Sequence, residues 1–453
     1  MAIFGKLTKR TFEGEKITMF RPFDQKPKPI DDFYMDWKTV YPKAYDKNTV
    51  DPYTKVRIIL MNGIEVEAAL FSHQFHRHCA DNNLRRELAN MRRIEQQQQK
   101  HINWLKPIDE STLETTIGYE HVAVDLTAWL AQNESDQNVK NALDFALLED
   151  FDHLYRYANL LNMDVNIPAE KLVKSYVDIT PGRPTIAEHR YPMDEPKYHV
   201  DFKKADIQTK LNTMIITAAE QQTMNFYMNL GNSYYSDLGR QLYLEIALIE
   251  EQHVSHYGSL LDPNCSWLES LLLHEYMECY LYYSFFMDEL DANVKSVWGL
   301  HLEQEIAHLH KAADLLKQYE DKDWQQFVPE TLPKLLQFHD TRDYVRNILA
   351  SQIELTVHHE NYMNVRELPQ ECKFFFYQNK VNNDVKEVPS HKAICEHQKV
   401  FTNDYRAEAK QNPVIELQDR TKDNVTIGRT INGNIPDFIP NMTEQSIATP
   451  LNI

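Results

Sequence analysis

The sequence predicts an all-α protein, and three observations support that prediction. Only 11 of the 453 residues are glycine. The long segments between the prolines are rich in Leu, Glu, Gln, Ala, Met and Lys, which have high helix propensity. Apolar residues recur in these segments at three- and four-residue steps, the period of one helix face. The hydrophobic content of 42% is enough for one large core or for two to three domains.

The helical pattern divides the chain into five parts. A long connection with five prolines between Pro168 and Pro196 separates two helical regions. Beyond the second region, one more helix is predicted over 341–365, and the remaining residues lose helical periodicity. The expected parts are an irregular leader at 1–53, a first pair of helix hairpins at 54–163, a proline-rich crossover at 164–203, a second pair of hairpins at 204–320, and an extra helix with an extended C-terminal arm at 321–453.

Composition restricts the classes of function. With 48 basic and 67 acidic residues the net charge is −19, which disfavours nucleic acid or an anionic membrane as a partner. The first residues lack the apolar core of a secretory signal, and no run of about 18 apolar residues occurs, so we expect no transmembrane segment. The cysteines form no C-x-x-C pair, which is typical of reduced thiols in a cytoplasmic protein. They are Cys79, Cys265, Cys279, Cys372 and Cys395.

The helix predicted at 242–261 carries two polar residues on its apolar face. Glu250 and His253 lie one turn apart in the middle of that face. Similar segments occur three more times, and each has a carboxylate one turn before a histidine, or before a glutamine in one copy. The four pairs are Asp150 with His153, Glu250 with His253, Glu305 with His308, and Glu95 with Gln98.

Another glutamate lies thirty residues before each of these carboxylates, in a helical segment of its own. These glutamates are Glu65, Glu120, Glu220 and Glu275. Each repeat is therefore a helix hairpin with Glu on the first helix and an acid-x-x-His pair on the second. The first two hairpins map onto the last two with a constant offset of 155 residues, which indicates an internal duplication.

This pattern predicts metal binding. Residues i and i+3 share one helix face, so a carboxylate and an imidazole one turn apart can ligate one metal ion. Two hairpins together supply the ligands of di-iron and di-manganese carboxylate bundles. One such pair is common on an exposed helix, but carboxylates are rarely buried without a partner, and here they recur at one spacing. The predicted ligands are Glu65, Glu95, Glu120, Asp150, His153, Glu220, Glu250, His253, Glu275, Glu305 and His308.

The third and fourth hairpins resemble the rubrerythrin branch of the ferritin-like superfamily. That family has Glu, Glu-x-x-His, Glu-x-x-Glu and Glu-x-x-His on successive helices. The matching residues are Glu220, Glu250 with His253, Glu275 with Glu278, and Glu305 with His308. The resemblance implies a duplicated ferritin-like bundle over about residues 55–320. It also implies that Glu278 is an extra metal ligand that exchanges with a histidine, and that Tyr227 and Tyr283 lie near the metals. These three residues are therefore expected to take part in catalysis.

The chain departs from that family in three respects. It has no C-x-x-C pair for the rubredoxin-type iron site of rubrerythrins, so a separate protein would donate electrons. In the N-terminal half, Gln98 replaces a histidine, Asp150 replaces a glutamate and Ala123 replaces the extra glutamate. The linkers from the first to the second hairpin and from the third to the fourth are also short.

Linker length bears on which hairpins pair. If the helices of Glu250 and Glu275 ran parallel, the linker at 262–266 would need to span ~30 Å, whereas six bonds reach ~20 Å. In an intertwined arrangement, the second and third hairpins would form one site and the first and fourth another. The alternative is pairing in sequence order, with the only complete site in the C-terminal half.

The resemblance implies an iron-dependent oxidoreductase that reacts with peroxide or dioxygen, and it favours peroxide reduction. The expected cofactor is two iron ions per site, with manganese or mixed iron and manganese as the alternative. Other functions left open are an O₂-activating oxygenase with an organic substrate, metal storage, and a helical scaffold with relic metal sites. The C-terminal arm could mediate a homo-oligomer. Histidines outside the repeat are expected at the surface or in support of the site: His256, His301, His310, His358 and His359.

Overall fold

The computed structural model describes residues 20–183, 187–382 and 387–401, and helices dominate these ranges. The prediction of an all-α protein is confirmed, since the only strands in the described ranges form one two-stranded hairpin. None of the helices in the described part is both long and apolar enough to cross a membrane.

Eight long helices form four consecutive hairpins. Linkers of three to five residues join the two helices of each hairpin, so partner helices run antiparallel. Before them come short turns at Pro22–Asp24 and Ile30–Phe33 and the one-turn helix α1 (Trp37–Val40). The hairpins and the one-turn helix between them are α2 (Pro52–His78) with α3 (Asn82–Asn103), α4 (Thr112–Gln132) with α5 (Gln137–Val165), α6 (Glu170–Val173), α7 (Ile207–Gly231) with α8 (Asp237–Gly258), and α9 (Trp267–Asp288) with α10 (Ala292–Glu320).

Each long helix begins after an Asp or Ser whose side-chain oxygen accepts a hydrogen bond from a backbone N–H of the first turn. The capping residues are Asp51, Asp81, Ser111, Asp136, Asp206, Ser236, Ser266 and Asp291. The last four follow the first four at the offset of 155 residues found in the repeat. Asn166 and Asp321, which end α5 and α10 in the left-handed conformation, are separated by the same number. The helix limits thus support a duplicated chain.

The helices pack into two compact units, and neither unit is continuous in sequence. The first unit contains the hairpins α2–α3 and α9–α10. The second contains α4–α5, α7 from Asn212 onward, α8 and the C-terminal elements. The hairpins therefore associate as first with fourth and second with third.

In the described part of the proline-rich connection between α5 and α7 lie α6 and a turn at Pro192–Asp194. Several of its charged side chains are buried in the second unit, including Arg183, Glu188 and Arg190. Buried charges need partners. These three side chains find theirs near the predicted ligands of the second unit, as described below.

The prediction of one helix over 341–365 is wrong in its second half. Helix α11 (Arg342–Gln352) ends early, and β1 (Leu355–His358) pairs antiparallel with β2 (Asn361–Asn364). The β-branched Thr356 and Val357 favour a strand, and His359 has φ of 53°, a left-handed conformation that a helix does not contain.

The arm expected after this segment is partly helical. Helices α12 (Lys373–Asn382) and α13 (Pro389–Phe401) lie there. The part of the predicted arm at 402–453 lies outside the described residues.

Candidate metal centres

The predicted ligands of the second and third hairpins converge inside the second unit. Two groups of ligand atoms, each spanning no more than 4.8 Å, share Glu250. One group is Asp150, Glu220, Glu250 and His253, and the other is Glu120, His153 and Glu250. All six side chains are buried. Because one carboxylate belongs to both groups, the arrangement suits two adjacent cations.

Glu250 lies between two histidines. Its Oε1 is 2.9 Å from Nδ1 of His153, and its Oε2 is 3.3 Å from Nδ1 of His253. The same nitrogen of His253 is 3.3 Å from Asp150 Oδ1 and 3.5 Å from Glu220 Oε2. The one-turn spacing on α5 and α8 therefore places each acid and its histidine on the same inward face.

Electrostatics show that these carboxylates repel one another. Burial raises the pKa of Glu120 and of Glu220 well above the usual range, and neighbouring carboxylates add to the shift. Burial opposes the ionisation of Glu250 as well, but His153 and His253 outweigh it and lower that pKa to about 2.

Several polar atoms of this cluster lack partners. Glu120 Oε2, Glu220 Oε1 and His153 Nε2 have no hydrogen-bond partner among the described residues. Buried polar atoms are normally paired, and divalent cations would both satisfy these atoms and neutralise the carboxylates. The residues present therefore fit metal ions.

A buried network outside the ligands holds His253 in place. Its Nε2 is 2.5 Å from Glu149 Oε2, and Arg190 Nη1 lies 2.6 and 2.7 Å from the two oxygens of Glu149. Burial opposes the ionisation of Glu149, but Arg190 and His253 hold its pKa well below the ordinary value. With Nε2–H donated to an ionised carboxylate, Nδ1 faces the ligand carboxylates.

Sequence reasoning missed both Glu149 and Arg190. The available signals were weak. Glu149 directly precedes a predicted ligand, and Arg190 belongs to a connection that has no helical pattern.

Most predicted ligands of the first and fourth hairpins converge in the first unit, whereas Glu65 belongs to neither of the two groups found there. One group within 4.8 Å is Glu95, Glu275 and His308, and another is Glu275, Glu278 and Glu305. His308 Nδ1 is 3.1 Å from Glu305 Oε2 and 3.6 Å from Glu275 Oε2. Burial raises the pKa of Glu95 to about 7 and raises those of Glu275 and Glu278 well above the usual value.

Gln98 stands where the other three hairpins have a histidine. It is fully buried, and its Nε2 donates a hydrogen bond to Glu305. An amide nitrogen has no free lone pair for a metal. The first unit thus offers one histidine where the second unit offers two.

A tyrosine hydroxyl donates to one buried glutamate in each unit. Tyr227 donates to Glu120 in the second unit. Tyr282 donates to Glu65 in the first unit. Both hydroxyls lie on the first helix of a C-terminal hairpin and reach a glutamate of an N-terminal hairpin.

The structure does not bring Tyr283 to this cluster. Its ring stacks on Phe20 with the centroids 4.1 Å apart. One position along a helix rotates a side chain by about 100°, so the tyrosine beside the ligands is Tyr282. Its position seven residues after Glu275 is the signal that could have identified it, because Tyr227 follows the glutamate of its own helix by the same number.

Hydrogen bonds continue outward from Tyr282. Its hydroxyl is 3.1 Å from His301 Nδ1, and His301 Nε2 is 2.9 Å from His101 Nδ1. Burial lowers the pKa of His101 to about 4 and that of His301 well below its usual value, so both imidazoles are neutral near pH 7. Glu65 is thereby linked through two side chains to His101, which is 6% exposed.

Comparison with known proteins adds no identity. No family model, no curated protein and no solved structure matches this chain. The functional conclusion therefore rests on the geometry of the two clusters.

Proposed function

We propose that this chain is a duplicated ferritin-like protein that binds iron in its second unit and acts as an oxidoreductase on peroxide or dioxygen. One observation carries the proposal. Four carboxylates and two histidines meet, fully buried, in the second unit, and several of their oxygens lack partners among the described residues. This is the ligand composition of di-iron and di-manganese carboxylate bundles.

Iron, or a mixture of iron and manganese, would supply the two electrons that reduce peroxide or dioxygen. The residues of the chain would bind the cations, orient the oxygen substrate and supply protons to it. Glu120, Asp150 and Glu220 would bind the cations through oxygens that otherwise repel one another. Tyr227 holds a proton beside Glu120, where it can pass to a reduced oxygen species. Complete burial keeps bulk water away from the reacting atoms.

We propose a second, altered centre in the first unit. Glu278 would serve there as the additional carboxylate that the resemblance implies, since it joins the group of Glu275 and Glu305. The hydrogen-bonded chain from Tyr282 through His301 can carry protons toward this cluster.

An O₂-activating oxygenase is the second candidate, and one observation favours it. A cleft of about 690 Å³ in the first unit is lined by Glu65 and by the apolar side chains of Met35, Trp37 and Leu70. An organic substrate could approach the first cluster through it. The cavity of about 460 Å³ in the second unit is lined by none of the predicted ligands. Peroxide, which needs no organic pocket, therefore remains the favoured substrate of the second unit.

Either reaction needs reducing equivalents, and we propose a separate electron-donor protein because the five cysteines of the chain form no C-x-x-C pair. We also propose that the C-terminal arm, of which residues 402–453 lie outside the described ranges, mediates a homo-oligomer.

The first test measures metal content by mass spectrometry on protein purified without added metal. We expect about two iron ions bound by the second unit. His253→Ala should lose these ions and retain any metal of the first unit, and His308→Ala should show the converse. His310→Ala is the matched control, because His310 lies on the same helix as His308 but faces Pro22 O and the ring of Phe23 and belongs to neither ligand group.

The second test mixes the anaerobically reduced, iron-loaded protein with hydrogen peroxide and follows peroxide consumption. Wild-type protein and His310→Ala should consume peroxide at the same rate, and His253→Ala should lose the part of the consumption that depends on the second unit. If wild-type protein binds no transition metal after anaerobic loading, the oxidoreductase is refuted. Metal binding without consumption of peroxide or dioxygen would instead favour a function in metal storage.

A further inference from the structure

Three potential metal ligands meet at the tip of the β1–β2 hairpin, and a cysteine thiol lies beside one of them. Asp194 ends the turn in the proline-rich connection, His358 ends β1, His359 begins the hairpin loop, and Cys372 directly precedes α12. All four belong to the second unit. None of them takes part in the duplicated carboxylate–histidine pattern, and the sequence predicts no ligand role for the two histidines.

The distances among Asp194, His358 and His359 match those between ligands of one small cation, and the thiol of Cys372 lies beside this group. Ligand atoms of Asp194, His358 and His359 all lie within 4.8 Å of one another. Asp194 Oδ1 is 3.4 Å from His359 Nδ1, and Cys372 Sγ is 3.8 Å from His358 Nδ1. Tetrahedral zinc with bonds of about 2.0–2.1 Å to N and O and about 2.3 Å to S separates such ligand pairs by roughly 3.3–3.6 Å.

The backbone of the loop is held against Asp194. The N–H of His359 donates to Asp194 Oδ1 at 3.0 Å. Lys197 Nζ donates to the carbonyl oxygens of both Asp194 and His359, at 3.0 and 2.8 Å. These bonds fix the two segments relative to each other, so little rearrangement is needed for them to share a cation.

Burial gives the cluster a closed and an open side. Asp194 and Cys372 are buried, whereas the side chain of His359 is 68% exposed. A cation can therefore enter from solvent on the histidine side and meet the carboxylate and the thiol behind it.

We propose that Asp194, His358, His359 and Cys372 form a zinc site, separate from the two carboxylate clusters. A thiolate with imidazoles and a carboxylate is a donor set that zinc accepts in tetrahedral geometry, whereas iron and manganese centres of the kind proposed above contain no thiolate. Binding releases the thiol proton of Cys372 to solvent and involves no redox step.

The site would join three segments that are distant in sequence. A zinc ion there ties the β-hairpin and the start of α12 to the connection that carries Arg190, which holds Glu149 and through it His253. The expected role is therefore structural, as a clamp on the connection.

The test uses the full-length protein and Co²⁺ as an optical probe for zinc. Wild-type protein should show a thiolate-to-cobalt charge-transfer absorption that equimolar Zn²⁺ abolishes. Cys372→Ser should lose this absorption. Cys395→Ser is the matched control, because Cys395 also lies beside a histidine, with Sγ 3.4 Å from His391 Nε2, but that histidine belongs to no group of potential metal ligands among the described residues. Absence of the band in wild-type protein, or its persistence in Cys372→Ser, would overturn the proposal.

A second measurement guards against misfolded variants. His359→Ala removes an exposed side chain, so its unfolding temperature without zinc should equal that of wild type. Its zinc affinity in competition with a chromophoric chelator should fall at least ~10-fold, and the zinc-induced rise in unfolding temperature should shrink accordingly. Equal zinc affinity in His359→Ala and wild type would show that the cluster is not a metal site.

Discussion

Tyr227 and Tyr282 each place a hydroxyl against a buried carboxylate. Burial raises the pKa of both hydroxyls well above the usual value, and the adjacent glutamates add to the shift. Each hydroxyl therefore keeps its proton near pH 7 and acts as a donor.

Removing the donor of the second unit should slow the proposed reaction. Tyr227→Phe is expected to lower the rate of peroxide reduction by ~10-fold or more, because a positioned proton donor contributes at least that much. Metal content should not change. Stopped-flow kinetics on reduced protein measures the rate, with Tyr283→Phe as the control. A rate in Tyr227→Phe equal to that of Tyr283→Phe would show that the hydroxyl has no part in the reaction.

Glu245 gives a pH dependence that lies outside the predicted ligands. It is buried on α8, its Oε2 accepts a hydrogen bond from the backbone N–H of Ser390 at 2.7 Å, and burial raises its pKa from 4.5 to about 7. The folded state thus binds this proton more tightly than the unfolded state. Its contribution to stability is fully present below pH 4.5 and is lost as the pH rises through 7.

Glu245→Gln should remove the loss of stability that wild type shows as the pH rises through 7. The variant and wild type are expected to have similar free energies of unfolding at pH 5. At pH 8 the variant should be more stable by about 2–3 kcal/mol, since one pKa unit corresponds to about 1.4 kcal/mol. Urea unfolding at both pH values measures the difference. The same difference at pH 5 and pH 8 would contradict the assignment to Glu245.

At the scale of elements, the caps explain where the helices begin. Ser111 and Ser266 each accept from the N–H three residues on, and the glutamate at that position accepts from the serine N–H in return. Such reciprocal capping boxes satisfy two backbone donors that a helix leaves unpaired.

Removing either capping hydroxyl should cost similar stability. Ser111→Ala and Ser266→Ala are each expected to lower the free energy of unfolding of their own unit by about 1 kcal/mol. Ser351→Ala, at an exposed position of α11, should change it by less than about 0.5 kcal/mol. Chemical denaturation followed by circular dichroism provides the comparison. A lower free energy of unfolding in only one of the two capping variants would show that the two capping boxes are not equivalent.

Most helices were predictable because their signals are local. Apolar residues at three- and four-residue steps and an Asp or Ser before each first turn describe the eight long helices. The β-hairpin at 355–364 was not predicted, because four-residue strands leave too short a pattern to distinguish from a helix. Its stability depends on packing against distant segments such as α8, for example through Tyr362, whose hydroxyl lies 2.8 Å from His256 Nε2.

At the scale of the whole molecule, each unit combines hairpins that lie far apart in the chain. The second unit builds one cluster from Glu120 and Glu250, whose helices are separated by the long connection. Folding of this unit therefore brings buried carboxylates together. Their electrostatic repulsion lowers the stability of the unit, and bound cations would offset it.

Metal removal should destabilise the protein through this cluster. At free metal a hundredfold above Kd, binding is expected to add about 2.7 kcal/mol to the free energy of unfolding of the second unit. Thermal unfolding with and without a chelator should show a clear shift in wild type and in His310→Ala, and a smaller one in His253→Ala. An equal shift in all three would place the responsible metal elsewhere.

The amino-acid sequence by itself determined the helices, their pairing into hairpins, and the one-turn spacing that puts Glu250 with His253 on one face. These features depend on residues three or four apart or on linkers of a few residues. Linker length also narrowed the hairpin pairing to two arrangements. The tertiary structure decided which hairpins associate, that Tyr282 rather than Tyr283 reaches the ligands, that Arg190 holds Glu149, and that His358 meets Asp194. Each of these depends on the packing of segments that are distant in sequence, and such packing leaves no periodic signal along the chain.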